Sequence, residues 1–380
     1  MSEATAIKYL EQLVAFDSTS RNSNCEITSH IRGILQNLGF QCETVDYVDR
    51  KGVNKSNVVA KKGDGLGGLA YFAHSDVVPA DDWQFADSGP FAPLVKGDRF
   101  YGRGSCDMKG SISCMLSAIE MMGDQPFHRP LYFVCTGDEE IGFLGAKEVV
   151  RRSSLYREAV EHQAKAIVGE PTSLQVVYGH KGIVGIRVRS EGRAAHSSTR
   201  EGVNANLAMI PFLAEMKKMY DETNSDPNWK NEQFDPPTIS WNIGINDFTL
   251  AYNITPAQSV CTVSFRHMPG QNADALIDRV RITAKEHGLG FEVDSRGEPF
   301  LTDPNSEMVQ QALQISGQTE PKTVSYGTDG GEFSELNEVI VCGPGSIAQA
   351  HTVDEWIDLQ QLRKGTLLYH DFIRQWCVAS

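Results

Sequence analysis

The sequence has no excess of positive charge. Lysine and arginine number 35 against 49 aspartate and glutamate residues, which gives a formal net charge of −14 at pH 7. A protein that binds nucleic acid needs a basic surface against the phosphates, so this charge balance argues against a nucleic-acid partner. Acidity of this size more often reflects solubility than a specific partner.

Long apolar runs and paired cysteine motifs are also missing. Glu and Lys interrupt the first apolar segment, so it lacks the apolar core of a signal peptide, and no stretch approaches the ~20 apolar residues of a membrane helix. None of the eight cysteines forms a Cys-x-x-Cys pair, and several stand within apolar runs. This pattern predicts reduced, mostly buried thiols and a cytoplasmic protein without a membrane partner.

The 380 residues are enough for two domains, and the pattern of apolar residues divides them. Up to residue 178, short apolar runs alternate with helical spacing, which is typical of an α/β fold with a mixed, largely parallel sheet flanked by helices. Over 179–294 the order is strand, helix, strand, strand, helix, strand, which predicts an inserted α+β domain with a four-stranded antiparallel sheet. The α/β pattern resumes afterwards, so we expect a discontinuous domain, 1–178 and 295–380, around the insertion.

Acidic and imidazole side chains stand at the ends of the predicted strands. They are His74 and Asp76 after the first buried run, Asp107 before a helix predicted at 110–122, Asp138, Glu139 and Glu140 after the second run, Glu170 after the third and His351 after the last. The steps from His74 to Asp107, Glu140 and Glu170 are 33, 33 and 30 residues. Since about thirty residues make one strand–helix–strand unit, these residues are expected at one edge of one sheet, where open α/β folds place their sites.

Each of these residues alone has an ordinary structural explanation. A single histidine after a strand is most often a core or surface residue, and three consecutive acidic residues usually form a solvated turn. Gly102-x-Gly104 lacks the rest of a dinucleotide-binding fingerprint and does not indicate one. Only the repetition at several strand ends favours a common site.

Two divalent metal ions would explain the repetition. Clustered, partly buried carboxylates repel one another unless cations balance them. Histidine with aspartate and glutamate, without a thiolate pattern, suits zinc, cobalt or manganese. In the predicted arrangement Asp107 bridges the two ions. His74 and Glu170 complete one site, and Glu140 and His351 complete the other.

Two further carboxylates are left for other tasks. Asp76, two residues after His74, can accept the second N–H of the imidazole and fix its orientation. Glu139 is left without a metal and is free to act as general base on a bridging water.

These motifs, in this order, resemble the M20 metallopeptidase and deacylase family. The resemblance is carried by His74-Ser-Asp76, Gly104-x-x-Asp107-Met-Lys-Gly, Asp138-Glu139-Glu140, Gly169-Glu170-Pro-Thr and the C-terminal His351. Within the family, residues 167–175, His180-Lys-Gly and residues 343–351 are similar to the acetylornithine deacetylases. The resemblance implies an α/β catalytic domain, an inserted lid that also forms a homodimer, and two divalent ions, Zn²⁺ first with Co²⁺ or Mn²⁺ as alternatives.

The resemblance also implies residues that contact the substrate. His196, in Ala194-Ala-His-Ser-Ser, would help to hold the oxyanion, from the same or the partner subunit. Arg266 would bind the substrate carboxylate through its fork of donors. The other expected contacts are Asn253, Thr328, Asp329, Gly345 and Ser346.

The implied reaction is hydrolysis of the N-acyl amide of a small amino acid, with deacetylation of N2-acetyl-L-ornithine in arginine biosynthesis as the first expectation. Asp329 stands where acetylornithine deacetylases usually have glutamate, and it would meet the ornithine ammonium unless it is only a turn residue. Glu332 stands where succinyl-diaminopimelate desuccinylases usually have arginine, and it would repel a second substrate carboxylate. The alternatives are another N-acyl-amino-acid deacylase, that desuccinylase, a dipeptidase or carboxypeptidase, and a non-catalytic metal-stabilised binding protein.

Overall fold

A computed structural model describes residues 2–378 of the chain. Within these residues the α-helices are α1 Ser2–Val14, α2 Cys25–Asn37, α3 Lys109–Met122, α4 Leu144–Arg152, α5 Ser154–Glu161, α6 Asn206–Ser225, α7 Ala273–Glu286, α8 Glu307–Ser316 and α9 Leu359–Ile373. The strands are β1 Gln41–Val48, β2 Asn54–Lys62, β3 Leu69–His74, β4 Leu94–Lys96, β5 Arg99–Tyr101, β6 Leu131–Thr136, β7 Lys165–Val168, β8 Val177–His180, β9 Ile183–Glu191, β10 Ser240–Asn246, β11 Gln258–Arg266, β12 Gly290–Gly297, β13 Phe300–Leu301, β14 Lys322–Val324, β15 Val339–Val341 and β16 Trp356–Asp358.

The chain divides into two compact units. Unit 1 contains the residues up to Gly179, Leu301–Lys322 and the residues from Thr328 onward. Unit 2 contains His180–Phe300 together with Thr323–Gly327. The sequence pattern placed its boundaries after residues 178 and 294 and did not indicate the short return over 323–327. Each unit has its own buried apolar cluster.

The larger sheet is mixed, with a parallel centre. Its strands lie in the order β1-β2-β6-β3-β7-β15-β8-β13, and β14 pairs with β8. β3 runs parallel to both β6 and β7, and β15 runs parallel to β7, whereas β2 is antiparallel to β1 and β6. The predicted fold class is therefore confirmed.

The central strands are continuous apolar runs because helices cover both faces of the sheet. All six residues of β3 are buried. Successive side chains of a strand point to opposite faces: the ring of Tyr71 packs against Tyr369 of α9, and the ring of Phe72 packs against Tyr156 of α5. Burial on both faces explains why periodicity of two is absent from these strands.

The parallel strands bring their carboxyl ends to one edge. His74 pairs in register with Thr136, the last residue of β6, and Phe72 pairs with Val168, the last residue of β7. The residues that follow each strand therefore meet at this edge, as the thirty-residue spacing predicted.

A three-stranded sheet that the sequence pattern did not indicate lies in the order β16-β5-β4. Trp356 of β16 pairs with Tyr101 of β5, so the segment before residue 356 is held beside the segment after residue 101. The β1–β2 hairpin and helices α4, α5, α8 and α9 were also not predicted.

Unit 2 has the predicted order β9-α6-β10-β11-α7-β12. Its four strands form an antiparallel sheet in the order β10-β11-β9-β12. Alternate residues of β9 are buried, and they pack in one cluster with apolar residues of α6 and α7. The predicted four-stranded antiparallel sheet with two helices is confirmed. Among residues 2–378, no helix combines the length and apolar character needed to cross a bilayer.

Candidate metal centre

Asp107 belongs to two groups of potential metal ligands in unit 1. The first group is His74, Asp107 and Glu170, and the second is Asp107, Glu140 and His351. Within each group the ligand atoms lie within 4.8 Å of one another. Oδ1 of Asp107 lies 3.1 Å from Nε2 of His74, and Oδ2 lies 3.3 Å from Nε2 of His351. The two oxygens of one carboxylate thus face different groups, which is the geometry of a bridging ligand.

The edge of the large sheet positions the first group. His74 is the last residue of β3, and Glu170 follows β7 after Gly169. Nε2 of His74 lies 3.4 Å from Oε1 of Glu170. A Cβ at residue 169 would lie only 2.2 Å from the hydroxyl of Ser111, so this close approach requires glycine.

Two residues at the second group have unusual backbone conformations. Glu140 lies in a short 3₁₀ helix, Glu139–Ile141, that follows Asp138, whose φ of 61° is left-handed. His351 also has a left-handed φ of 60°. Nε2 of His351 lies 3.1 Å from Oε2 of Glu140. Non-glycine residues rarely adopt this conformation, so the surrounding contacts must hold both residues in place.

The donor atoms and their separations fit two divalent ions. Two ligand atoms that are each ~2.1 Å from a tetrahedral metal lie about 3.4 Å apart. The imidazole–carboxylate separations of 3.1, 3.4, 3.3 and 3.1 Å agree with this value. Imidazole nitrogen and carboxylate oxygen are donors that zinc, cobalt and manganese accept.

The pKa shifts of the candidate ligands indicate that this cluster of carboxylates is stabilised by positive charge. Burial raises the pKa of Glu170 to about 8, and the charge of Asp107 adds to this effect. Hydrogen bonds to Asp107 and Glu140 raise the pKa of His351 to about 10. Burial acts to raise the pKa of Asp107, but hydrogen bonds from His351 and His74 outweigh it and lower that pKa. A divalent cation held between these groups would supply the positive charge that the clustered carboxylates need.

Glu139 lies beside the two groups but belongs to neither. Its carboxylate makes no hydrogen bond to any residue in the described part of the chain, in contrast to its neighbour Glu140. Burial raises the pKa of Glu139 well above its usual value; His74 opposes this, and the charges of Glu170 and Glu140 add to it. A carboxylate with a raised pKa is a stronger base, which is the property that a general base needs.

Asp76 makes contacts that differ from the predicted one. Nδ1 of His74 lies 2.9 Å from the main-chain carbonyl oxygen of Asp76 and 3.7 Å from its carboxylate. The orienting acceptor is therefore the main chain and not the predicted carboxylate. The carboxylate instead accepts hydrogen bonds from the main-chain N–H groups of Glu139 at 3.2 Å and Glu140 at 3.4 Å.

Glu355, which the sequence did not bring to attention, holds the loop that carries Asp107. It is 1% exposed. Its Oε1 accepts from the N–H groups of Cys106 at 2.9 Å and Asp107 at 3.0 Å, and its Oε2 accepts from the N–H of Gly104 and the guanidinium of Arg103, both at 2.9 Å. In the sequence, Glu355 is marked only by its position four residues after His351. Without knowledge of the β16–β5 pairing, it cannot be distinguished from an ordinary surface carboxylate.

Asp329 and Thr328 lie at a short 3₁₀ helix, Asp329–Gly331. The hydroxyl of Thr328 accepts the N–H of Gly330 and begins this helix. Asp329 is 2% exposed, and its Oδ2 accepts from the hydroxyl of Thr136 at the end of β6. Its Oδ1 is buried without a hydrogen-bond partner among the described residues, and burial raises the pKa of Asp329 to about 7.

Gly345 and Ser346 lie against the residue that precedes Asp107. The thiol of Cys106 donates to the carbonyl of Ser346 at 3.3 Å. Gly345 has a left-handed φ of 87°, and a Cβ there would lie 2.6 Å from the sulfur of Cys106. This loop therefore adjoins the candidate bridging ligand.

Unit 2 carries the three remaining predicted residues. His196 is exposed, and its Nδ1 lies 2.7 Å from the hydroxyl of Ser198. The N–H of Ser197 donates to the carbonyl of Asn253 at 3.0 Å, so His196 and Asn253 lie on adjoining segments. Arg266 ends β11, and its charge acts with burial to lower the pKa of Lys181 to about 8.

Solved structures share this fold. The M20 family metallo-carboxypeptidase Sso-CP2 from Sulfolobus solfataricus has a TM-score of 0.77 at 19% identity, with 98% of this chain and 99% of that chain covered. The di-peptidase Dug1p from Saccharomyces cerevisiae has a TM-score of 0.76 at 17% identity, with 98% and 96% covered. The YXEP protein of Bacillus subtilis, described as a dinuclear metal binding peptidase from the M20 family, has a TM-score of 0.65 at 12% identity, with 98% and 97% covered. At these identities the likeness concerns the fold.

Sequence relatives extend over nearly the whole chain. The acetylornithine deacetylase of Myxococcus xanthus is 33% identical over 365 residues, which are 93% of this chain and 92% of the relative. The acetylornithine deacetylase of Proteus mirabilis (strain HI4320) is 30% identical over 390 aligned positions, which cover 99% and 98%. The model of peptidase family M20/M25/M40 matches residues 70–375. The chain therefore belongs to peptidase family M20/M25/M40 and is a metal-dependent amidohydrolase.

Proposed function

We propose that this protein removes the acetyl group from N2-acetyl-L-ornithine at a centre for two metal ions, a reaction that serves arginine biosynthesis. The observation that carries the proposal is the pair of ligand groups joined by Asp107, with Glu139 beside them and outside both. The acetylornithine deacetylases that are 30% and 33% identical to this chain support the choice of substrate.

His74, Asp107 and Glu170 would hold one ion, and Asp107, Glu140 and His351 would hold the other. Zn²⁺ is the proposed ion, and Co²⁺ and Mn²⁺ suit the same donors. When bound, such ions lower the pKa of a coordinated water and polarise the amide carbonyl.

The remaining steps are assigned to side chains of this protein. Glu139 would accept a proton from the attacking water and pass it to the nitrogen of the leaving amine. His196 would donate a hydrogen bond to the developing oxyanion, and Arg266 would bind the substrate carboxylate through two N–H groups. The products are acetate and the free amino acid. Four further residues stay predicted to contact the substrate: Asn253, Thr328, Gly345 and Ser346.

Asp329 is the proposed acceptor for the side-chain ammonium of ornithine. Its Oδ1 has no hydrogen-bond partner among the described residues, so this oxygen can still accept a hydrogen bond from a substrate ammonium. The proposed role predicts that Asp329→Ala raises KM for N2-acetylornithine by about 10–150-fold, since a hydrogen bond to a charged group contributes ~1.5–3 kcal/mol. KM for N-acetylleucine, which has no ammonium, should change less than about twofold. Acetate release over a panel of acetylated amino acids measures both values.

Glu335→Gln is the matched control in the same panel, because Glu335 is an exposed carboxylate six residues after Asp329. It should leave the preference for N2-acetylornithine over N-acetylleucine unchanged. Equal effects of Asp329→Ala on both substrates would refute the ammonium role. If dipeptides are hydrolysed faster than every acetylated amino acid, the protein is a dipeptidase and the proposed deacetylase activity is wrong.

We further propose that the protein is a homodimer formed through unit 2. Exposed apolar side chains concentrate around α6 and along β10 and the segment after it: Val203, Leu207, Ile210, Ile245, Phe248, Leu250, Tyr252 and Ile254. β10 is also an edge strand, and exposed apolar surface beside an open edge is typical of an interface. Light scattering should give a molecular mass of about twice the chain mass of 41.9 kDa. The variant Leu250→Asp should have a mass closer to that of a single chain. A monomer at all concentrations would exclude this interface.

The cytoplasm is the proposed compartment. All eight cysteines are free thiols. Burial raises the pKa of Cys114 and of Cys342 to about 12, which keeps these thiols protonated and unreactive. Cell fractionation tests the proposal, and recovery of the protein with secreted proteins would contradict it.

A further inference from the structure

We infer that Lys55 is a positioning residue for the acidic turn, Asp138–Glu139–Glu140. The inference rests on the proposed function, because it takes Glu139 as the general base and Glu140 as a ligand of the second ion. Lys55 lies in β2, 83 residues before Asp138.

Lys55 and Asp138 form a buried ion pair. Nζ of Lys55 lies 2.6 Å from Oδ1 of Asp138, and both side chains are 1% exposed. The hydroxyl of Tyr47 donates to the other oxygen, Oδ2, at 3.0 Å. Because a buried carboxylate is costly without an opposite charge and hydrogen bonds, these contacts hold the side chain of Asp138 in one position.

The same lysine also reaches the other side of the acidic turn. Nζ of Lys55 donates to the carbonyl of Ser20 at 2.7 Å, and the hydroxyl of Ser20 donates to Oδ2 of Asp76 at 2.7 Å. Asp76 then accepts the main-chain N–H groups of Glu139 and Glu140. Lys55 therefore acts on Asp138 directly and on the two glutamates through Ser20 and Asp76.

The backbone of the turn explains why such anchoring is needed. Asp138 has a left-handed φ of 61°, a conformation that L-residues rarely adopt. The N–H of Gly137 donates to the side-chain oxygen of Asn57, which fixes the chain just before the turn. Without Lys55, nothing in this network would balance the charge of Asp138, and the turn would be free to relax away from the geometry that directs Glu140 toward His351.

A positioning role and a purely stabilising role predict different results. A stabilising ion pair changes only the free energy of unfolding. A positioning ion pair changes the affinity for the second ion, which Glu140 and His351 share with Asp107. It leaves the affinity for the first ion, bound by His74 and Glu170, unchanged, because His74 contacts the main-chain carbonyl of Asp76 and not the carboxylate that Ser20 contacts.

Titration of metal-free protein with Co²⁺ alone, followed by calorimetry and by visible absorption, separates these roles. The unmodified protein should bind two ions. Lys55→Met should bind the first with unchanged Kd and the second at least about tenfold more weakly, since loss of an outer-shell partner typically costs ~10–100-fold. With Co²⁺ saturating, kcat should fall while KM changes less than about twofold.

Two further variants keep the test decisive. Lys55→Met/Asp138→Asn removes both charges, so its unfolding free energy should recover while the second Kd stays weak. Tyr47→Phe removes one hydrogen bond to Asp138 without leaving a buried charge, and it should weaken the second site about threefold even if Lys55→Met does not fold. Lys61→Met, on the same strand but paired with Glu158, is the matched control and should change neither Kd.

The outcomes are distinct. A second-site Kd that is unchanged in Lys55→Met or Tyr47→Phe, or that recovers with stability in the double variant, would overturn the inference and leave the proposed function standing. Failure of the unmodified protein to bind two Co²⁺ ions would overturn the proposed function and, with it, the inference.

Discussion

Replacement of Glu139 by glutamine is expected to leave two metal ions bound and to lower kcat by about 10²–10⁴, the usual contribution of a general base. The reason is its position: Glu139 lies beside both ligand groups and belongs to neither, and its carboxylate accepts no hydrogen bond from the described residues. Glutamine preserves the shape of the side chain and removes only its ability to take a proton. Metal content by elemental analysis and single-turnover acetate release measure the two expectations.

The adjacent glutamate offers a matched control for this experiment. Glu140 is one residue further along the same short helix, and its carboxylate lies within 3.2 Å of His351. Glu140→Gln should therefore weaken the binding of the second ion, and Glu139→Gln should leave that binding unchanged. Normal turnover in Glu139→Gln would remove this residue from the base role, and metal loss in that variant would make it a ligand instead.

Replacement of Asp107 by alanine is expected to lower the affinity for both metal ions, each by more than about 100-fold. Loss of a residue that only supports a metal ligand already lowers metal affinity by ~10–100-fold, and loss of the ligand itself should cost more. Each oxygen of Asp107 faces a different ligand group, so one substitution removes a ligand from both. Activity at micromolar metal should fall below detection. Stoichiometric titration with Zn²⁺ or Co²⁺ measures the affinities. Retention of one ion at unmodified affinity would show that Asp107 does not bridge.

Glu355→Gln provides a graded version of the same experiment. Glu355 accepts four hydrogen bonds from the loop at residues 103–107, one of them from the main-chain N–H of Asp107, and it is a member of neither ligand group. The amide of glutamine keeps one acceptor oxygen, so about half of this support is lost. We expect both affinities to fall in parallel by ~10–100-fold. A loss confined to one ion would show that Glu355 does not act through Asp107.

Local sequence patterns were sufficient for the elements that carry the ligands. His74 and Glu170 follow short apolar runs whose burial on both faces leaves a continuous signal in the sequence. The order of strands and helices over the insertion was equally clear, because one face of that sheet is buried and its residues alternate. These features depend on residues that are close together along the chain.

Contacts between distant segments were not visible in the same way. Asp107 and Glu355 are 248 residues apart, and Lys55 and Asp138 are 83 residues apart. An isolated lysine in a strand or an isolated glutamate before a strand has no periodicity that would mark it. The sequence predicted a contact between His74 and the carboxylate of Asp76, but His74 contacts the main-chain carbonyl of Asp76. This contact also depends on the exact course of the main chain.

The sequence by itself determined the layers of the fold and the set of acidic and imidazole side chains at one sheet edge, because both follow from local periodicity and from the length of a strand–helix–strand unit. Only the tertiary structure decided that the main-chain carbonyl of Asp76 contacts His74, and that Glu355 and Lys55 hold the two ligand-bearing loops. Hydrogen-bond geometry is set by the register and packing of segments that are remote in the chain, and no local pattern encodes those distances.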